Sequence, residues 1–234
     1  MRVWIVVAWL FVGLAGVVFH LGPGRELEKN DLLNANVTRA RLNVETEKWG
    51  DAIDSFDEAI AGLSEQQLEL QRQLRLEKAK AQMMDTQLPE ARLALDALMQ
   101  ELVDSGEGQT KIAEETRLAL ASAQYYVTWL MRLEGVGREE WEPEVEAARQ
   151  NYRILSEMAD ESGDADVAEK RREDLEATVR LARMDLTELQ ALPLPSQCQG
   201  CKSGKCRGKK PGKPKEGPPK QGATFQKPSE HNGS

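Results

Sequence analysis

Two stretches of the sequence match each other without a gap at an offset of 39 residues. Both lie within 26–192, a region with only two prolines and a preponderance of Ala, Leu, Glu, Arg and Gln, which favour helix. The repeated unit is therefore a pair of helices, and each pair needs its neighbour to cover an apolar face. The matched positions share size or polarity: Ala40 with Ala79, Val44 with Met83, Ala52 with Ala91, Phe56 with Leu95, and Asp57 with Asp96.

Turn-forming residues divide this region into seven predicted helices, and no segment shows the alternation typical of strands. The fold class is therefore all-α. Pro89 and Pro143 are placed in first turns, where a missing N–H costs nothing. The last helix has a broad charged face and is expected to cap the array. The predicted helices cover 27–48, 51–62, 65–86, 89–103, 110–134, 141–161 and 164–191.

Residues 48–60 resemble the second helix of a tetratricopeptide repeat, in which a small residue is followed by an aromatic and then another small residue. Ala52, Phe56 and Ala59 occupy those positions, and Ala40 fits the upstream small position. The second copy keeps Ala79, Ala91 and Leu95 and has Leu98 in the last slot. A third, looser copy ends in Ala148, Tyr152 and Leu155. The resemblance implies a solenoid of antiparallel pairs over 26–192.

Some positions depart from the family pattern. Asn36, Arg39 and Asn43 stand where its first helix has aromatic and leucine residues, and Ser64 stands where it has a closing proline. The period is also longer than the family's, so another antiparallel helical bundle remains the alternative fold.

The resemblance also implies a function, namely a non-enzymatic scaffold that holds a protein or peptide in a groove. On the family's spacing, five residues of the first helix face that ligand: Asn34, Val37, Arg41, Val44 and Glu45.

An apolar run at the amino terminus predicts a membrane anchor. Residues 3–21 carry no charge apart from a protonatable His20 and would span about 28 Å as a helix, close to the thickness of a bilayer core. We therefore expect a transmembrane signal-anchor over 1–24 and a single-pass protein. The expected location is a bacterial inner membrane, and Arg2 before the helix favours an orientation with the body outside the cytoplasm. A cleaved signal peptide is the alternative, because small residues at 13–15 suit a peptidase.

The carboxyl-terminal region differs sharply in charge from the rest. Residues 193–234 hold nine Lys/Arg and two Glu, a net charge of +7, so the remainder of the −8 chain carries −15. Gly, Pro and Lys dominate, which predicts a disordered tail. Such a tail would make salt-sensitive contact with an anionic polymer or surface. Specific nucleic-acid binding is not expected, since Phe225 is the sole aromatic residue among the lysines.

Three cysteines, Cys198, Cys201 and Cys206, lie in this tail with the spacing C-x2-C-x4-C. The first pair suits zinc, whose closed sites need a fourth ligand. A local disulfide with one spare thiol, or three inert thiols, are the other readings. The alternative function is accordingly a metal-binding or redox-active cysteine tail that a helical spacer presents.

Catalysis is not expected. His20, His231 and the cysteines all lie outside 26–192, so the helical region offers no imidazole or thiol for a metal centre, a catalytic triad or a nucleophile. Adjacent carboxylates such as Glu139 and Glu140 do not face each other on a helix and are expected to be solvated. No cofactor is implied apart from zinc.

Overall fold

The computed structural model of the chain describes residues 4, 9 and 23–198. Within these residues the secondary structure is helical, with no strand. A 3₁₀ turn, Glu65–Gln67, precedes the third helix, and another, Ser196–Cys198, ends the described chain. The α-helices are α1 (Pro23–Glu45), α2 (Trp49–Ala61), α3 (Leu68–Met84), α4 (Leu88–Asp104), α5 (Lys111–Leu133), α6 (Arg138–Ser162), α7 (Ala165–Arg183) and α8 (Leu186–Ala191).

Local sequence explains where several helices begin. Thr110 and Asp164 accept backbone N–H groups at the starts of α5 and α7. Asp185 and Glu188 form a capping box, which starts α8 as a new helix. The predicted last helix, 164–191, is consequently two helices. Pro143 lies inside α6 rather than in its first turn, because that helix begins at Arg138.

Each long helix packs mainly against its neighbours in the chain. Short connections return the chain after each helix, which makes three successive pairs, α1–α2, α3–α4 and α5–α6, followed by α7. The all-α prediction is confirmed, and stacked adjacent helix pairs are compatible with a helical-repeat solenoid.

The 39-residue match has a structural basis in close packing. Its small residues, Ala40, Ala52, Ala79 and Ala91, are almost completely buried, which permits close approach of paired helices. The residues at the next matched position, one in each pair, are fully buried: Phe56, Leu95 and, in the looser third copy, Tyr152.

The core consists of two hydrophobic clusters. The smaller one joins α1, α2 and α3, where Phe56 packs among residues that include Leu33 and Leu74. The larger one extends from α3 to α7 and includes Leu189 and Cys198 beyond the last long helix. Phe56 thus bridges one pair and the next, as its position in the repeat predicts.

The prediction of a transmembrane helix has to be corrected. No helix in the described part of the chain is long and apolar enough to cross a bilayer. The first described helix begins at Pro23, within the predicted anchor, and it continues through Glu28, Lys29 and Asp31. Proline is well tolerated at a helix start because its missing N–H would be unpaired there anyway. Most of the predicted anchor, 1–22 apart from Trp4 and Trp9, lies outside the described residues.

The carboxyl-terminal boundary also differs from the one expected. Residues 193–198, which we assigned to the disordered tail, pack against the helices, and Cys198 is fully buried. The apolar side chains of this segment explain the difference, since Leu192 and Leu194 contact the larger cluster. The rest of the predicted tail, 199–234, lies outside the described residues.

Candidate functional site

The five predicted ligand-facing residues lie along one face of α1, the first helix of the first pair. Asn34, Arg41 and Glu45 are exposed, whereas Val37 and Val44 are half-buried and pack against the smaller cluster. This face of α1 therefore presents three polar side chains to solvent, beside two half-buried valines.

Arg41 joins this face to α3. Its Nε and Nη2 donate to the two carboxylate oxygens of Glu77 at 3.1 and 2.9 Å, a bidentate pair. Gln73 also donates to Glu77, at 3.3 Å. The hydrogen bonds that Arg41 donates to Glu77 are the main reason that the pKa of Arg41 is raised above its ordinary value. The first helices of two successive pairs therefore share one polar surface.

The same contact recurs one repeat later. Lys80, which is 39 residues after Arg41, pairs with Glu115 of α5 at 3.2 Å. Successive first helices are thus linked by a cation and a carboxylate, with the cations 39 residues apart and the carboxylates 38 residues apart. Sequence reasoning missed Glu77 and Glu115, although the match of Arg41 with Lys80 in the repeat was a signal for them.

The first helices form one side of the array, and α5 is its most enclosed member. Every residue from 119 to 132 is buried. Tyr125 contacts Tyr126 edge-on, with ring centroids 5.2 Å apart, and Trp129 at 5.9 Å. The Trp129 indole Nε1 is buried and has no hydrogen-bond partner among the described residues.

Residues 186–198, which we call the strap, cover part of α5. The strap contacts α5 through α8 and through the final 3₁₀ turn, and that turn also contacts α3. Leu189 and Cys198 are fully buried, and the Cys198 Sγ lies 3.7 Å from the Tyr126 carbonyl oxygen. Because it contacts two first helices, the strap lies on the side of the array that carries the predicted ligand-facing residues.

Arg132 anchors the junction between α7 and the strap. Its guanidinium donates to the carbonyl oxygens of Leu181 and Met184 and lies 4.8 Å from the centre of the Trp141 ring. Burial lowers the pKa of Arg132 below its ordinary value. These contacts hold the end of α7 while the chain turns toward α5.

The predicted metal ligands are only partly within the described residues. Cys198 is buried, whereas Cys201 and Cys206 lie outside the described range. Among residues 23–198, no group of three or more His, Cys, Asp and Glu is placed to hold a metal ion. Cys198 in its buried position is packed as an apolar side chain beside Tyr126.

Buried hydroxyl groups join α5 to α6. The Tyr152 hydroxyl lies 2.9 Å from the Ser122 Oγ. Burial raises the pKa of Tyr152 well above its usual value, and it raises that of Tyr126 as well. Phenols with raised pKa values stay neutral at ordinary pH, so these groups act as hydrogen-bonding groups of the core.

A cavity of about 280 Å³ lies between α4, α5 and α6. Amide side chains contribute to its lining, and Asn151 donates to Gln124 at 3.0 Å and accepts from Arg117 at 3.3 Å. Because these amides already bond with one another, we consider the first-helix side the stronger candidate for binding.

No protein family matches the chain, and neither does any curated protein or solved structure.

Proposed function

We propose that residues 26–192 form a tetratricopeptide-like scaffold that binds an extended segment of another protein along its first-helix side, without catalysing a reaction. The observation that carries this proposal is the register of Arg41 with Lys80. Both cations pair with a carboxylate on the next first helix, so the polar surface continues from α1 to α5.

The tetratricopeptide-like hypothesis is supported by a buried series of residues in successive second helices. In each series a small residue is followed by a bulky residue and then by a further apolar residue. Ala52, Phe56 and Ala59 are fully buried in the first copy. In that family the second helices pack in this way and leave the first helices to line the ligand groove. The exposed Asn34 and Arg41 are in the corresponding place on α1.

The mixed charge of this face indicates its partner. Arg41 and Glu77 present both signs within one bidentate pair, which a polar peptide segment can join from the solvent side. Charged groups in such a surface contribute mainly to specificity and association rate. We therefore expect peptides with interspersed acidic and basic residues to bind here.

The experiment is peptide selection on the full-length chain, followed by affinity measurements on two arginine variants. Arg41→Ala should weaken the selected peptides by about tenfold, equivalent to about 1.4 kcal/mol. Arg39→Ala is the matched control. It removes an equally exposed arginine of the same helix, but one that points elsewhere and pairs with Glu58 of α2.

Both arginines make exposed ion pairs, so neither variant should lose much stability. Equal affinity of the peptides for the two variants would rule out the α1 face as the binding surface. Failure to select any peptide would count against the scaffold function itself.

A further inference from the structure

The strap occupies the first-helix side as an extended ligand would. After the six residues of α8, the chain continues through Leu192, Pro193, Leu194 and Pro195 to a final 3₁₀ turn. Alternating Leu and Pro favour an extended backbone, because proline fixes φ and disfavours helix in the residue before it. Leu192 and Leu194 pack against the larger cluster, between the two parts of the strap that contact α5.

The repeat relates the position of the strap to the predicted ligand-facing residues of α1. Gln197 lies with its Nε2 4.0 Å from the Met84 Sδ at the end of α3. Met84 is 39 residues after Glu45, so it is the second-copy counterpart of a predicted ligand-facing residue. The strap therefore contacts, in the second copy of the repeat, a position whose counterpart on α1 in the first copy is exposed.

The strap is attached mainly through side chains. The backbone bonds described between Leu189 and Leu192, and between Pro195 and Cys198, are internal to it. Pro193 and Pro195 have no N–H to donate. The side-chain contacts of the strap must therefore offset the conformational entropy that the segment loses when it is ordered.

Helix α5, which the strap contacts, has an unused hydrogen-bond donor. Trp129 is 5% exposed, and its Nε1 finds no acceptor among the described residues. Tyr126, whose carbonyl contacts Cys198, is three residues before Trp129 and therefore on the same part of α5. A ligand that placed a backbone carbonyl there would satisfy a buried donor that the strap leaves unpaired.

We propose that the α3–α5 surface beneath the strap binds an extended partner segment with alternating leucine and proline, and that the strap occupies this surface when the partner is absent. The partner presents leucines to the apolar positions that Leu189, Leu192 and Leu194 now fill, and a backbone carbonyl to Trp129. The proposal rests on the function proposed above, because it uses the same side of the array.

The test uses a synthetic peptide with the sequence of residues 186–198, added under reducing conditions to the full-length chain. The Leu192→Ala/Leu194→Ala double variant weakens the strap and raises the fraction of chains with a free surface. The peptide should then bind the variant about tenfold more tightly than the unaltered chain, since apparent affinity scales with the competent fraction.

Leu186→Ala provides the matched control within the same segment. Leu186 is 43% exposed, so its removal should leave peptide affinity unchanged. A peptide that carries alanine at 192 and 194 should bind neither protein. Equal binding of the unaltered peptide to all three proteins, or no binding to any, would overturn the proposal.

Hydrogen exchange on the unaltered chain provides a measurement that does not depend on folding of the variant. Strap amides should exchange faster than α5 amides between 119 and 132, and added peptide should accelerate exchange in the strap alone. One common exchange rate for strap and α5, unaffected by peptide, would make the strap a permanent part of the core.

Two further readouts separate this proposal from its neighbours. Arg41→Ala should leave binding of the strap peptide unchanged. If this variant loses the strap peptide, or if the strap peptide does not bind while the peptides that depend on the α1 face still do, only the present inference is overturned. Light scattering should show a monomer for the double variant. A dimer with exchanged straps would assign the surface to a second copy of the chain and overturn the proposal.

Discussion

At the scale of single residues, Phe56 tests the repeat register most directly. It is fully buried where α1, α2 and α3 meet. Truncation of such a residue removes apolar contacts and leaves a cavity, so Phe56→Ala should lower the free energy of unfolding by about 3–5 kcal/mol. Chemical denaturation measures this loss.

Leu93→Ala is the control for Phe56, because Leu93 is a large apolar residue that is 61% exposed on α4. Its loss should change the free energy of unfolding by less than about 0.5 kcal/mol. A similar effect of the two substitutions would mean that Phe56 does not bridge the first two helix pairs.

Arg72 joins α3 to α4 and to the loop that follows α4. Its side chain is 6% exposed, and it donates to Glu101 and Glu107, in both cases at 2.7 Å. These hydrogen bonds hold the pKa of each carboxyl below its usual range. Arg72→Met should therefore destabilise the protein by about 1–3 kcal/mol at neutral pH.

The lowered carboxyl pKa values also determine the pH dependence. Their contribution is fully present above the ordinary carboxyl pKa and is lost as pH falls through the lowered values of Glu101 and Glu107. Denaturation between neutral and acidic pH should show a smaller fall in stability for Arg72→Met than for the unaltered chain. The control is Arg75→Met, which removes only one contact with Glu101. Parallel curves for the two variants would contradict the assignment.

At the scale of helices, replacement of a glycine by alanine should have opposite effects at a helix end and in a first turn. Gly163 ends α6 with φ of 76°, and no atom crowds the place of a Cβ. Gly163→Ala should cost about 1 kcal/mol, since a left-handed conformation disfavours a side chain. Gly50 lies in the first turn of α2, where a Cβ would also meet nothing.

Gly50→Ala should instead stabilise α2 by about 0.5–1 kcal/mol, because alanine loses less backbone entropy in a helix. Thermal melts of the two variants measure these opposite effects. Stabilisation by both changes would indicate that α6 does not end in the described left-handed conformation, and destabilisation by both would contradict the placement of Gly50 in the first turn of α2.

At the scale of the molecule, the packed body continues through the strap. A chain truncated after 198 should keep the stability of the full chain to within about 0.5 kcal/mol. Truncation after 192 also removes Leu194 and Cys198 from the larger cluster and should lower the melting temperature. Circular dichroism should show a helical, cooperative transition in both. Equal melting temperatures would mean that residues 193–198 contribute nothing to the fold.

Much of the helical architecture was predictable because its causes are local. Helix-favouring composition, capping residues such as Thr110, and the small residues of the repeat act within a few turns of chain. The ligand-facing positions on α1 came from the resemblance and not from periodicity, and the structure adds that Asn34, Arg41 and Glu45 are exposed. The division at Asp185 was missed, although its capping box with Glu188 is written in the sequence.

Contacts between distant residues depended on tertiary structure. Glu77 is 36 residues from Arg41 and Gln197 is 113 from Met84, and neither pairing follows from helix propensity. Composition assigned residues 193–198 to a tail, because a short Leu-Pro segment cannot form a core alone. It packs only because α5 presents an apolar surface that the helices before and after it leave uncovered. The sequence by itself determined the helices and their repeat, whereas tertiary packing decided what covers α5, since burial depends on which surfaces meet.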